Sequence, residues 1–366
     1  MSPPCVGTMT LPTLPPEILD FIVDHLHDDP ITLKSCCLTS KSLFVRSRRH
    51  LFACVTFDPL RSSVRSWMKA FPDPSNSPAH YARSLCIRDS RVVSANACTW
   101  IRPFCHVQEL SVNTFGWGGP NEISLVQLHG LSPTIKSLHL YTGVHTPIPE
   151  IIGLICSFPL LKDLSLHSTR ESDPSGWATP QTSPKFTGSL KLNGENRGII
   201  RRLLELPGGL HFSKIRVRCR VEDVDSRTIV DLVSKCSNTL KSLYLRYHHL
   251  ATSRAPPPLD LSNAMKLKHL NFRWGRTHVR WITMTLQTVQ SKDLRRITVF
   301  LRNILFAPAE ETILEWHELD RLLVQLWISH SIRPRILYKD VVGGIVSRLL
   351  PELTMKGFTR HRGERQ

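Results

Sequence analysis

The chain has 366 residues, too many for one minimal domain, and its 41% hydrophobic and 21% charged content is that of a chain that mostly folds. The formal charge of +17 points to an anionic partner, whether acidic protein, nucleic acid or charged surface, and the placement of that charge must decide among them. No run approaches about eighteen apolar residues, which argues against a membrane span.

The N-terminal MSPPCVGTMTLPTLPPE lacks both a basic start and a long apolar stretch, so no secretion signal is expected and the cytoplasm, the nucleus or both are the expected location. The 26 prolines imply many ordered turns between short elements. Ten cysteines occur singly or as the pair Cys36–Cys37 with no CxxC, and in a chain of this kind buried free thiols are the expectation.

Residues 1–12 form a loose tail, and a small helical domain is expected over 13–57. Pro15-Pro16-Glu17 suits a helix start, with proline in the first turn and a carboxylate near the positive helix end. Ile18, Leu19, Ile22, Val23 and Leu26 then fall on one stripe at helical spacing, and Asp28-Asp29-Pro30 ends the helix. A second helix is expected over Leu33 to Leu38 and a third, capped by Ser40, through Leu43, Phe44, Arg48, Leu51 and Phe52. So small a unit has little interior and gains from covering a partner or the rest of the chain.

Leu14-Pro15-Pro16-Glu17-Ile18-Leu19, then Ile22, Leu26, Leu33, Cys37-Leu38-Thr39-Ser40-Lys41-Ser42 and His50-Leu51-Phe52, resemble an F-box, most of all that of F-box proteins from mushroom-type fungi. The resemblance implies docking on a Skp-type adaptor and, through it, on a cullin scaffold with a RING subunit. Under it Leu14, Pro15, Ile18, Leu19, Ile22 and Leu38 are the expected adaptor contacts. Leu43, which stands where the family often has tryptophan, keeps that surface apolar with less contact area. Some of these residues must instead form the domain's own core, and the sequence does not divide the two roles.

Residues 58–80 mix a short helical stretch with a proline-rich turn and read as a linker. From there to about residue 308 a pattern recurs in nine segments, beginning at 82, 107, 135, 161, 187, 212, 240, 267 and 294, so that successive starts lie 25–28 residues apart. Each has an apolar or small residue, two spacers, an aliphatic residue, one spacer and another apolar residue; Thr187 weakens the fifth copy. The physical reading is one short strand per turn of a solenoid, its paired apolar residues facing inward, at a period within the leucine-rich-repeat range.

Residues 149–158 and 226–236 offer apolar faces as helical returns, whereas 168–186 and 251–260 are polar or proline-rich excursions. No copy has the asparagine that a regular array carries three residues past its last apolar position. The array thus resembles the irregular leucine-rich repeats that accompany the F-box in many fungal proteins. A long amphipathic helix over 310–329 is expected to seal the array's end within a C-terminal cap, 309–366, where Arg335–Tyr338 add a last strand and 361–366 fray. The expected fold class is α/β: a three-helix F-box, an irregular solenoid of about nine strands over 81–308, and a helical cap.

Outward residues at equivalent positions of successive strands form columns about 4.8 Å apart. From the fifth strand onward these columns gather Lys191, Arg216, Arg218, Arg246 and Arg273, with Tyr244 among them. Such a surface suits an acidic or phosphorylated protein client, because arginine engages carboxylate or phosphate through two parallel hydrogen bonds; an ordinary solvated face is the competing reading.

No GxGxxG, GxxxxGK[ST] or HExxH occurs, Cys98, Cys105 and His106 lack a fourth ligand at metal-binding spacing, and His25 and His27 join no ligand pattern. No catalytic set, cofactor or metal site is nominated, and an enzyme is not expected. The leading expectation is a substrate-recognition adaptor of a Skp–cullin–F-box ubiquitin ligase. The alternatives are a leucine-rich-repeat interaction scaffold without ligase attachment and, with less support, a nucleic-acid-binding protein, since no nucleic-acid fold motif is present.

Overall fold

The computed structural model describes residues 14–58, 64–88, 100–113, 125–131, 133–142, 147–168, 180–220, 226–248, 257–274, 279–302, 310–339 and 344–361. The loose tail, Cys98, His249, most of the excursions at 168–186 and 251–260, and the frayed end lie wholly or partly outside these residues.

Three helices open the chain: α1 (Pro16–His25), α2 (Pro30–Thr39) and α3 (Lys41–Leu51). Proline occupies the first position of α1 and of α2, where its missing N–H would be unpaired in any case. Asp29, expected only as part of a helix stop, also starts the next helix, since its Oδ1 accepts hydrogen bonds from the Ile31 and Thr32 amides at 3.1 Å. Ser40 caps α3 by accepting from the Ser42 amide at 3.3 Å. Asp24 on α1 ties the unit together, accepting from Arg46 Nε at 2.6 Å and from His50 Nε2 at 2.7 Å on α3.

Beyond α3 the described residues form a single parallel sheet of twelve strands in sequential order. They are β1 (Cys54–Phe57), β2 (Ser84–Ile87), β3 (Glu109–Asn113), β4 (Ser137–Thr142), β5 (Asp163–Ser168), β6 (Ser189–Gly194), β7 (Lys214–Arg220), β8 (Ser242–His248), β9 (His269–Trp274), β10 (Arg296–Arg302), β11 (Arg333–Lys339) and β12 (Thr359–His361). Strands β2 to β10 fall on the nine repeating segments and β11 on the expected last strand. Of the remaining two, β1 closes the segment 52–57, in which Phe52, Val55 and Phe57 repeat the same spacing one coil ahead of the nine, and β12 holds only three residues.

Alternation within each strand produces the sheet's two faces. Along β4, Leu138, Leu140 and Thr142 are buried while Ser137, His139 and Tyr141 are half-exposed. The first apolar residue of each repeat lies just ahead of its strand and is buried as well: Val107, Ile135, Leu161, Phe212, Leu240 and Leu267 are inaccessible to solvent. Thr187 is exposed in the weak fifth copy, and Phe186 takes its place one residue earlier, fully buried with its ring 5.0 Å from that of Phe212.

Successive coils are stitched by a recurring motif in which one carbonyl accepts two consecutive amides of the next coil. Examples are Gln108 O with the amides of Lys136 and Ser137, and Lys241 O with those of Lys268 and His269. Hydroxyls just ahead of a copy reach back to the preceding coil: Thr134 to Val107 O at 2.9 Å, Thr239 to Phe212 O at 3.3 Å and Ser291 to Leu267 O at 2.9 Å. Carbonyls between the coils thereby find donors.

Helical returns cover the inner face: α5 (Ile148–Cys156), α6 (Arg197–Leu204), α7 (Ser226–Cys236) and α8 (Val279–Gln287), with Ile151, Ile152, Ile199, Ile200, Ile229, Leu232, Ile282 and Leu286 in one continuous core with the strands. The segment read as a linker is ordered where described. It forms α4 (Val64–Ala70), whose Trp67 sits 5.8 Å from the Phe52 ring, 5.7 Å from Phe57 and 5.7 Å from Phe104. This aromatic cluster bonds the N-terminal helices to the first coils, and Arg48 of α3 adds a hydrogen bond to Asn76 O at 3.2 Å.

The long helix α9 (Glu310–His330) forms where expected but does not end the array. It returns the chain from β10 to β11, and α10 (Ile345–Leu349), α11 (Pro351–Met355) and β12 follow. Burial explains this: Leu319, Leu323 and Asp320 are all covered, and Asp320 accepts the Glu352 amide at 2.8 Å and the Leu353 amide at 3.1 Å, which fixes α11 against α9. An interior helix of this kind carries the same amphipathic signature as a terminal one.

The thiols divide. Cys236 is buried and Cys36, Cys37, Cys86 and Cys156 are half-buried, but Cys54 and Cys105 are exposed, against the expectation of a buried set. Cys54 occupies an outward strand position, and Cys105 lies beside the exposed His106 in the turn ahead of β3.

Candidate protein-interaction sites

The first site is the outer surface of the three-helix unit. A helix of ten residues that packs on one side only cannot bury a stripe as wide as the one in α1. Val23 is fully buried and Leu19 and Leu26 are half-buried, whereas Ile18 is 46% exposed, Ile22 44%, Phe21 61% and the preceding Leu14 55%. Leu38 at the end of α2 is 88% exposed. Ile31, Phe44 and Val45 add to the apolar surface, and Pro15 is exposed beside it. Of the seven residues expected to touch an adaptor, Leu14, Pro15, Ile18, Ile22 and Leu38 thus lie open, while Leu19 and Leu43 are half-buried. Phe21, Phe44 and Val45 were missed, although Phe44 and Val45 follow Leu43 directly in the sequence.

Exposed apolar residues scattered singly are ordinary on a protein surface, but Leu14, Ile18, Phe21 and Ile22 follow one another at helical spacing on and just ahead of a single short helix. The unit nonetheless holds its shape through polar ties. Asp24 lies between Arg46 and His50, and hydrogen bonds from these two hold its carboxyl well below the usual carboxylate range. It is ionised throughout the neutral range and clamps α1 to α3 without drawing on the apolar residues outside.

The second site is the outward face of the sheet, where strand register brings the expected residues together. One column runs His139, Ser165, Lys191, Arg216, Tyr244, Asn271, Thr298 and Arg335. The next runs Tyr141, His167, Asn193, Arg218, Arg246, Arg273, Phe300 and Leu337. Lys191 is the direct neighbour of Arg216, Arg216 of Tyr244, Arg218 of Arg246 and Arg246 of Arg273.

The arginines lie over aromatic rings. The Arg216 guanidinium carbon is 5.1 Å from the Tyr244 ring centre, that of Arg218 is 5.9 Å from the same ring, and that of Arg273 is 4.4 Å from Phe300. Contact with the rings favours these positions for the guanidinium groups. The Arg218 Nε is shielded from solvent and has no hydrogen-bond partner.

Toward the N-terminal side the face changes character. A cavity of about 310 Å³ between β3 and β6 is lined by Glu109, His139, Asp163 and Lys191 among others. His139 Nε2 is 3.2 Å from Glu109 Oε1, and His167 stacks on Tyr141 with ring centres 4.4 Å apart and lies 2.8 Å from Asn193 Nδ2. Burial holds both imidazoles below their ordinary value, and for His167 the neighbouring His139, Arg218 and Lys191 add to the effect. Both rings are therefore neutral at pH 7, and this part of the face is polar rather than cationic. The folded coils bring Glu109 and Asp163 beside His139.

Among the described residues, no three histidine, cysteine or acidic side chains are grouped so as to hold a metal ion, and no helix is long and apolar enough to cross a membrane. Cys105 and His106 are exposed, and His25 and His27 bond the carbonyls of Phe21 and Asp24 through their Nδ1 atoms. No protein-family model matches the chain, and no curated protein matches it.

Proposed function

We propose that the chain is a substrate-recognition adaptor of a Skp–cullin–F-box ubiquitin ligase, its N-terminal helices docking on a Skp-type protein and its sheet face holding an acidic or phosphorylated client. The observation that carries this reading is the open apolar surface formed by Leu14, Ile18, Phe21, Ile22 and Leu38 on a unit whose own core is already satisfied by Val23 and Leu33. Burial of such a surface is the main driving force for a stable protein contact. Ubiquitin transfer in this scheme belongs to the associated enzymes, and the chain acts by holding the client at high effective concentration near them. The client region is Lys191, Arg216, Arg218, Tyr244, Arg246 and Arg273, where arginine forks match carboxylate and phosphate oxygens.

Two separable losses test the proposal. Full-length chain expressed in cells should bring down a Skp-type protein and a cullin. Ile18→Asp/Ile22→Asp should abolish that capture while leaving the fold intact, since both side chains are exposed. Arg218→Glu/Arg246→Glu should abolish client capture and leave the Skp-type protein bound. Wild-type chain that is monodisperse alone and shows no affinity for a Skp-type protein would refute ligase attachment.

That last result would favour a second reading, a repeat scaffold whose first helices serve as an end cap. The packing of Phe52 and Arg48 of α3 against Trp67, Phe71 and Asn76 supports it. Direct nucleic-acid binding has less support, because the aromatic rings of the basic face lie beneath arginines rather than open for base stacking.

A further inference from the structure

The basic columns do not stop at Arg273. Beyond it, at the C-terminal end of the sheet, a cavity of about 290 Å³ is lined by Arg296 of β10, Arg333 and Arg335 of β11 and Arg360 of β12, with Leu337 and Phe358 among the apolar lining. Register explains the convergence. Arg296 is the direct strand partner of Arg333, and Arg335 lies two residues along β11 on the same face, because Pro334 and Ile336 between and beyond them are buried. Arg360 is the strand partner of Leu337, the next outward residue. The four side chains therefore leave the backbone in a row, Arg296 to Arg333, Arg333 to Arg335 and Arg335 to Arg360, with successive members about 5–8 Å apart.

Among the described residues, none that lines this cavity is acidic. Four guanidinium groups stay charged at any physiological pH and repel one another, so an occupant is favoured in proportion to the negative charge it brings. A single carboxylate or a phosphodiester brings one charge. A phosphate monoester brings about 1.5 to 2 at neutral pH and presents three acceptor oxygens to the arginine forks. The one aromatic ring among the described lining residues is not open for a base to stack on: Phe358 is half-buried, its ring edge-on to Trp327 with centres 5.1 Å apart.

From this convergence of four arginines in one cavity, we infer that the end of the array is a binding site for a phosphate monoester, distinct from the Lys191–Arg273 surface. The site stands whether or not the chain joins a ubiquitin ligase.

O-phosphoserine is titrated into the full-length chain by calorimetry at fixed ionic strength in acetate buffer, with serine as the blank. Saturable binding is expected for the wild type, weakened at least ten-fold in Arg333→Ala/Arg335→Ala and changed less than two-fold in Arg216→Ala/Arg218→Ala. Arg360→Gln, a single change at the last strand, should weaken binding several-fold and covers the case in which the double variant loses its fold. Wild-type binding no stronger than that of serine would overturn the site, as would a folded Arg333→Ala/Arg335→Ala variant that binds like the wild type. Loss only in Arg216→Ala/Arg218→Ala would overturn it too, by moving the phosphate to the other surface. A phosphoserine peptide that binds ten-fold tighter than O-phosphoserine identifies the source as a phosphorylated chain, and equal affinities identify a small phosphate ester; either supports the site.

Discussion

If the outer surface of the three-helix unit docks on a partner, the cost of truncating each residue there should follow how much of it remains uncovered in the free protein. Burying a leucine or isoleucine side chain completely contributes about 1.5–3 kcal/mol. Leu38, 88% exposed, has nearly all of that still to gain; Ile18 and Ile22, 46% and 44% exposed, have less than half, the remainder being already realised within the unit. Alanine keeps one methyl group, so Leu38→Ala should weaken adaptor binding by about 1–2 kcal/mol, roughly 5- to 30-fold. Ile18→Ala and Ile22→Ala should each cost about 0.5–1 kcal/mol, roughly 2- to 5-fold, and their combination should approach the effect of Leu38→Ala.

Val23, with no exposed surface, supplies the contrast: Val23→Ala should cost roughly 1–3 kcal/mol of folding stability and leave the affinity of the folded fraction unchanged. Calorimetric titration of a purified Skp-type protein, with thermal melts of every variant, reads both quantities. Affinities of Leu38→Ala and Ile18→Ala/Ile22→Ala within two-fold of wild type would refute the reasoning, as would a Val23→Ala variant of unaltered stability.

Four further outcomes are expected. Gly188→Ala should lower stability by about 1–3 kcal/mol in a thermal or denaturant melt, because an added Cβ would lie 2.9 Å from the Lys162 carbonyl oxygen and 2.6 Å from Asp163 Oδ1, in the junction that joins β5 to β6. Asp320→Ala should cost about 2–4 kcal/mol by leaving the amides of Glu352 and Leu353 without an acceptor. Burial raises the Asp320 carboxyl above its ordinary value despite those amides, so the folded state holds its proton to higher pH than the unfolded state does; wild-type stability relative to Asp320→Asn should therefore fall as pH rises from about 4, and a difference that grew with pH would contradict this. In the native protein Cys54 and Cys105 should react rapidly with a thiol reagent, whereas Cys156 and Cys236, their thiols pushed up to about 11 by burial, should react only on unfolding.

Much of the sheet was legible before any coordinates because its signal is redundant. A period-two alternation repeated nine times fixes which residues point in and which point out, and matching equivalent positions of successive copies then fixes the register, so that Lys191, Arg216 and Tyr244 had to be neighbours. The pattern located the returns α5 and α7 for the same reason, their apolar faces having to close the coil. Where one position failed, as at Thr187, the core still needed a large side chain, and Phe186 met that need from the adjacent position.

The sequence by itself determined the coil, its inward and outward faces and the three opening helices, since these follow from local periodicity and from caps such as Ser40. Only the tertiary structure decided that Ile18, Ile22 and Leu38 stay open while Leu19 and Leu43 turn partly inward, because helical periodicity marks an apolar side without saying how much of it a neighbour covers. It also decided that α9 is an interior return and that Arg296, Arg333, Arg335 and Arg360 meet in one cavity. Those residues come from coils of unequal length, and their proximity exists only once parallel strands distant in sequence are set side by side.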